Sequence, residues 1–101
     1  MRSLYNKVND RLFGSELPSV DIIKFDGSKK QFDVTYLIDG FTTTQLGGLV
    51  IGISETLSKQ EKFNTLVHEM IHVWQAENGK AWNHGKIFKR WCRLAYQEFY
   101  E

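Results

Sequence analysis

Between Phe63 and Gln75 two patterns overlap on one helix-forming stretch, and this overlap restricts the fold more than any other feature. Phe63, Leu66, Val67, Met70, Ile71 and Trp74 recur at helical offsets and make one continuous apolar stripe. His68, Glu69 and His72 fall outside that stripe, on the opposite side with Thr65 and Gln75. Residues four apart on a helix lie one turn above each other, so His68 and His72 share a face. Two imidazoles at that spacing can grip one zinc ion, and the glutamate in His68-Glu69-Met70-Ile71-His72 can act on a water at the metal. The plainer reading of each histidine is a hydrogen-bonded core residue or a solvated one. Placement off the core stripe weakens the first alternative and leaves a face that looks onto solvent or a cleft.

Asn78-Gly79 ends this helix, and Lys80-Ala81-Trp82-Asn83 is a short loop. A second helical pattern opens at His84-Gly85-Lys86-Ile87-Phe88, with Ile87, Phe88, Trp91, Leu94, Ala95 and Phe99 as its expected buried face. A loop of this length can swing His84 back toward His68 and His72. Three protein ligands plus one open position is the pattern of catalytic zinc, whereas a structural site is closed by a fourth ligand. The plainer reading of His84 is an exposed residue before a helix. The chain has 3 histidines, and all of them fall where such a site needs them.

At 101 residues, 42% hydrophobic and 14% aromatic, the sequence suits one small globular domain spanning residues 1–101. A chain this short has a thin stability margin, and a bound metal would help hold it. The formal charge of +1 selects no partner class. Cys92 is the only cysteine, which excludes an intrachain disulfide and a cysteine zinc ribbon. Its position predicts a small buried hydrophobe on the last helix rather than a nucleophile. Met1 to Tyr5 lacks the apolar run and cleavage site of a signal peptide, and no stretch approaches a membrane span. The expectation is an intracellular, cytoplasmic monomer, with association with a nucleoid or nucleus left open, and no membrane contact.

Along the rest of the chain, Leu4, Tyr5, Val8, Leu12 and Phe13 predict an amphipathic first helix ending near Gly14. Val20 to Phe25, Phe32 to Ile38 and Leu49 to Ile53 read as three strands, with a turn at Asp26-Gly27-Ser28. Phe41 to Gln45 is ambiguous between strand and loop. The order of helix, three strands, helix, helix gives an α+β class, a small three-stranded sheet packed with three helices. A sheet edge beside the metal could pair with an extended peptide through backbone hydrogen bonds.

With His68, His72 and His84 as neutral ligands, zinc keeps most of its charge, and Glu69 is the expected general base. Tyr36, Tyr96 and Asn83 are the candidates for a donor to the developing oxyanion. A separate surface is also visible. Lys86, Lys89, Arg90 and Arg93 line the last helix opposite its apolar stripe, with Trp82 nearby. Such a face can neutralise phosphates and stack an unpaired base, although an ordinary solvated helix face is the favoured explanation.

Asn9, Phe13, Leu17 and Pro18, then Ile51-Gly52-Ile53-Ser54, Thr65 to His72 and His84-Gly85-x-x-Phe88 occur in an order that resembles the SprT-like domain. This is the Spartan-type zinc metalloprotease family. The resemblance implies a minimal zincin (gluzincin-like) fold, zinc at His68, His72 and His84, and catalytic Glu69. It implies a protein or peptide substrate and, as in characterised relatives, repair of DNA–protein crosslinks with nucleic acid as activator. The cysteine ribbon and the further DNA-binding segments of many relatives do not occur within these 101 residues, so recruitment to DNA is expected to use the domain itself or another protein. The leading reading is thus a zinc endopeptidase of broad sequence preference, with DNA-associated proteins as candidate substrates. The alternatives are a non-catalytic, zinc-stabilised module that binds nucleic acid or protein, and another zinc hydrolase on the same scaffold.

Overall fold

A computed structural model describes residues 1–101. The first helix, α1 (Arg2–Phe13), buries Tyr5, Val8, Asn9 and Phe13 along one side. Gly14 ends it with a left-handed φ of 61°, and its N–H donates to the Asn9 carbonyl. Asn9 then fixes the exit loop. Its side-chain amide donates to the Leu17 carbonyl at 3.0 Å, and its Oδ1 accepts from the Leu17 N–H at 3.0 Å. The Tyr5 hydroxyl donates to the Pro18 carbonyl at 2.6 Å, and burial pushes the phenol pKa up to about 12. These bonds aim the chain into the first strand.

Five strands follow, β1 (Asp21–Phe25), β2 (Ser28–Gln31), β3 (Val34–Leu37), β4 (Gly40–Gln45) and β5 (Gly48–Ser54). They form a three-stranded sheet in the order β1-β5-β4 and a separate β2-β3 hairpin. The expected α+β class with three helices and a small sheet is present, and two of the three anticipated strands, β1 and β5, are in that sheet, but the third is not. The Phe32 to Ile38 segment is broken by a turn in which Phe32 and Asp33 take positive φ of 51° and 62°. Such a two-residue turn matches the twist of a hairpin, and neither residue is a strong signal for it. The threonine-rich segment, ambiguous in sequence, is the sheet's third member.

β5 is central, parallel to β1 and antiparallel to β4, and is buried from Val50 to Ser54. Ile51 and Ile53 face the helices and join the hydrophobic core. On the opposite face Phe41 lies across its partner Gly52, where an added Cβ would stand 2.2 Å from the ring. Phe25 closes over Phe41, with ring centroids 5.1 Å apart.

α2 (Lys59–Glu77) starts in a capping box. Ser58 Oγ accepts from the Glu61 N–H, and the Glu61 carboxylate accepts from the Ser58 N–H. Leu66, Met70, Ile71 and Val73 are fully buried on it. α3 (Lys86–Tyr100) packs on α2 and α1 through Phe88, Trp91, Ala95 and Phe99. Phe13 meets Trp91 at 4.7 Å and Phe63 meets Phe99 at 5.2 Å. The buried stripe of α3 is narrower than expected. Ile87 and Leu94 remain about two-fifths exposed, and Cys92, expected to be buried, is exposed on the flank. These residues lie off the line through Phe88, Trp91, Ala95 and Phe99 that faces the core. No helix is long and apolar enough to cross a membrane.

Candidate metal centre

α2 carries His68 and His72 one turn apart, and the loop before α3 returns His84 to them. The Nε2 atoms of His72 and His84 are 3.2 Å apart, as are those of His84 and His68. The three expected ligands are thus brought together, each offering one nitrogen, with all three nitrogens within 4.8 Å of one another. Two nitrogens at the usual length to one tetrahedral ion stand about 3.3 Å apart, so the spacing fits a metal ion. Phe88 underlies all three rings, with centroid separations of 4.7, 5.1 and 4.6 Å to His68, His72 and His84. It supplies an apolar floor that keeps the imidazoles upright.

The protonation pattern points the same way. Gln75 is almost wholly buried, and its Nε2 donates to the Asn83 carbonyl at 2.9 Å. A carbonyl can only accept, so the Gln75 amide group must face it and Oε1 must face His72. His72 Nδ1, 2.7 Å from that oxygen, is therefore the donor, and His72 Nε2 presents a lone pair to the cluster. His84 Nε2 faces both neighbours and carries at most one hydrogen, which cannot serve both at once. Convergent lone pairs of this kind are stabilised by a cation. Burial, reinforced by His72 and His84, pushes the His68 pKa from 6.5 down to about 4, against the opposing pull of Asp39. His68 accordingly stays neutral and able to coordinate.

Glu69 lies next to the cluster and is buried. The Thr42 hydroxyl on β4 donates toward its Oε1 at 2.8 Å and toward its backbone carbonyl at 3.1 Å. Oε2 is left free and stands 4.0 Å from His68 Nε2. Burial raises the Glu69 pKa, while the Thr42 hydrogen bond and the nearby His84 lower it by less. A close approach of β4 makes the contact possible. At Gly40 an added Cβ would come within 2.6 Å of Thr65 Cγ2 and 2.8 Å of the Gly52 carbonyl. Only glycine lets the strand sit this near α2 without something moving. The polar side of α2 is thus covered at Thr65, Glu69 and Gln75, and it opens at His68 and His72.

β4 is a free edge of the sheet beside this site. A cleft of about 430 Å³ lies between them, lined by Ile38, Asp39, Gly40, Asn64, Thr65, His68 and Glu69. Of the three oxyanion candidates, Tyr96 shares a cavity with His68. Asn83 is engaged elsewhere, its Oδ1 accepting from the Gly85 N–H at 3.0 Å at the start of α3. Tyr36 stands on the exposed β2-β3 hairpin. Thr42 and the clasp made by Gln75 were not singled out by sequence. Gln75 shared the polar face of the histidines, which was a usable signal; Thr42 lies 27 residues from Glu69 and had none. Lys86, Lys89, Arg90 and Arg93 are exposed, as expected, and none enters an ion pair.

The site is thus a small α+β domain's cluster of three imidazoles, two from α2 and one from the loop before α3, that could hold one metal ion, with a buried carboxylate beside it. The chain is a member of the SprT-like family, which it matches over residues 1–100. No curated protein and no solved structure gives a match.

Proposed function

We propose that this chain is a zinc-dependent endopeptidase on a minimal zincin-type scaffold, with His68, His72 and His84 as the metal ligands. The observation that carries this reading is the Glu69 carboxylate. One of its oxygens is engaged by Thr42, and the other is free beside three convergent imidazole nitrogens. Zinc, when bound, supplies a Lewis acid and lowers the pKa of a coordinated water from about 15.7 to about 7.

The remaining roles belong to the protein. Glu69 takes a proton from the attacking water at Oε2 and returns it to the leaving amine nitrogen. Its burial favours the protonated form, which suits a base that must later act as an acid. The free edge of β4 holds an extended substrate by main-chain hydrogen bonds, which fixes the peptide bond without reading its side chains. Gln75 and Phe88 keep the ligand rings oriented.

Chelator-sensitive cleavage of an unfolded protein tests the reading directly. Zinc retention without cleavage under any condition would favour a non-catalytic zinc-stabilised module instead. We also propose DNA as a partner, and DNA-bound or DNA-crosslinked proteins as substrates, through Lys86, Lys89, Arg90 and Arg93. Support comes from the exposure of all four and their freedom from ion pairs. Binding of single-stranded DNA should fall with salt and weaken in the Lys89→Glu, Arg90→Glu double variant. No binding at low salt would remove DNA from the account.

A further inference from the structure

A second hollow adjoins the metal centre on the side of His68 away from the cleft along β4. A groove of about 210 Å³ runs between α2 and α3, and 8 of its 10 lining residues are hydrophobic. Val67, Ile71 and Ala95 line it as core side chains, exposed Cys92 and Tyr96 stand at its rim, and His68 contributes to its wall. The Tyr100 hydroxyl bonds to Asn64, and the Tyr96 and Tyr100 rings stack 5.7 Å apart, which gives the groove a fixed far wall. No acidic or lysine or arginine side chain lines it.

We propose that this groove is a substrate subsite that selects an apolar side chain next to the bond cleaved; this rests on the peptidase reading above. Two observations give the groove this occupant. It adjoins the metal centre, because His68 and Asn64 line both the groove and the β4 cleft. A chain lying past His68 therefore has one opening on either side. The two openings also differ in chemistry. The β4 cleft has a single hydrophobic residue, Ile38, and carries Asp39 and Glu69, whereas the groove is almost wholly apolar. Its volume corresponds to about seven waters at about 30 Å³ each, and apolar walls offer those waters few partners. An aliphatic or aromatic side chain displaces them favourably, and a carboxylate there would lose its hydration with nothing in return. Main-chain pairing along β4 would leave sequence unread, so the groove supplies the selectivity that the strand edge lacks.

The test uses the full zinc-loaded chain and a mixed pool of synthetic peptides, with cleavage sites mapped by mass spectrometry. One position adjacent to the scissile bond should favour Leu, Ile, Met or Phe over Asp or Ser by at least about tenfold, the discrimination an apolar pocket commonly gives. Cys92→Trp fills the groove from its exposed rim and should shift that position toward Gly and Ala. A second arm needs no turnover. In the Glu69→Gln protein, Gly-Leu-Gly should slow alkylation of Cys92 by iodoacetamide at least threefold relative to Gly-Asp-Gly. Cleavage with no side-chain preference, or a profile unmoved by Cys92→Trp, overturns the proposal while leaving the peptidase reading intact. If no peptide is cut, the peptidase reading falls and the subsite falls with it. If peptides are cut, protection of Cys92 by the leucine peptide supports the groove as the place where the apolar side chain sits, and equal rates overturn it.

Discussion

Gln75 holds His72 through a 2.7 Å hydrogen bond from a position only 1% exposed to solvent. The other end of the same carboxamide donates to the Asn83 carbonyl, one residue before His84. One side chain thus sets the tautomer of His72 and ties down the loop that carries His84. Gln75→Leu should weaken zinc binding by about 10- to 100-fold, the usual cost of losing such a partner. Gln75→Glu keeps the acceptor for His72 and gives up the donor to Asn83, so its affinity should fall between the two. Competition with a chromophoric chelator measures both. Wild-type affinity in Gln75→Leu would show that the clasp has no part in metal binding.

Thr42 should matter for turnover more than for metal. Its hydroxyl engages Glu69 Oε1 and frees Oε2 to face the histidines. Thr42→Val keeps the shape and removes the donor, leaving a buried carboxylate oxygen unpaired at a cost of about 1–3 kcal/mol. We expect kcat to drop about tenfold or more with zinc content unchanged, and Thr42→Ser to restore most of it. Equal kcat in Thr42→Val and wild type would remove Thr42 from the positioning of Glu69.

Acid should destabilise the metal-free protein in a defined window. The His68 pKa is about 4 in the folded chain against 6.5 for the free group, so between these values the unfolded state binds more protons. Stability contributed by His68 is complete above pH 6.5 and is lost as pH falls toward 4. Glu69 works in the opposite sense, because its raised folded pKa removes stability as pH rises through the ordinary carboxylate range. Denaturant titrations of the metal-free Glu69→Gln protein isolate the histidine effect, and His68→Gln in that background should flatten the slope. An unchanged slope would assign the acid sensitivity to other groups.

Local rules made part of this molecule legible. The positions of His68 and His72 follow from helical period, and the return of His84 follows from a short loop between two apolar stripes. The Ser58-Lys59-Gln60-Glu61 capping box was equally local and went unread, although its spacing announces the start of α2. Phe32 hid a hairpin turn, since its positive φ is imposed by strand pairing and not by its own preference, and Asp33, which tolerates that region, is too weak a signal alone. Cys92 lies one turn from Phe88 and shared its apparent stripe. Its exposure depends on how far α2 covers α3, which periodicity does not encode. Thr42 and Gly40 acquire their roles only when β4 docks on α2, so no window of sequence could assign them.

Metal content and peptide hydrolysis, measured together on wild type, Glu69→Gln and His84→Ala, test the central claim most directly. The account predicts one zinc per chain and chelator-sensitive cleavage for wild type, and bound zinc with no turnover for Glu69→Gln. His84→Ala should lose both metal and activity. Hydrolysis by Glu69→Gln at the wild-type rate, or undiminished zinc in dialysed His84→Ala, would contradict it.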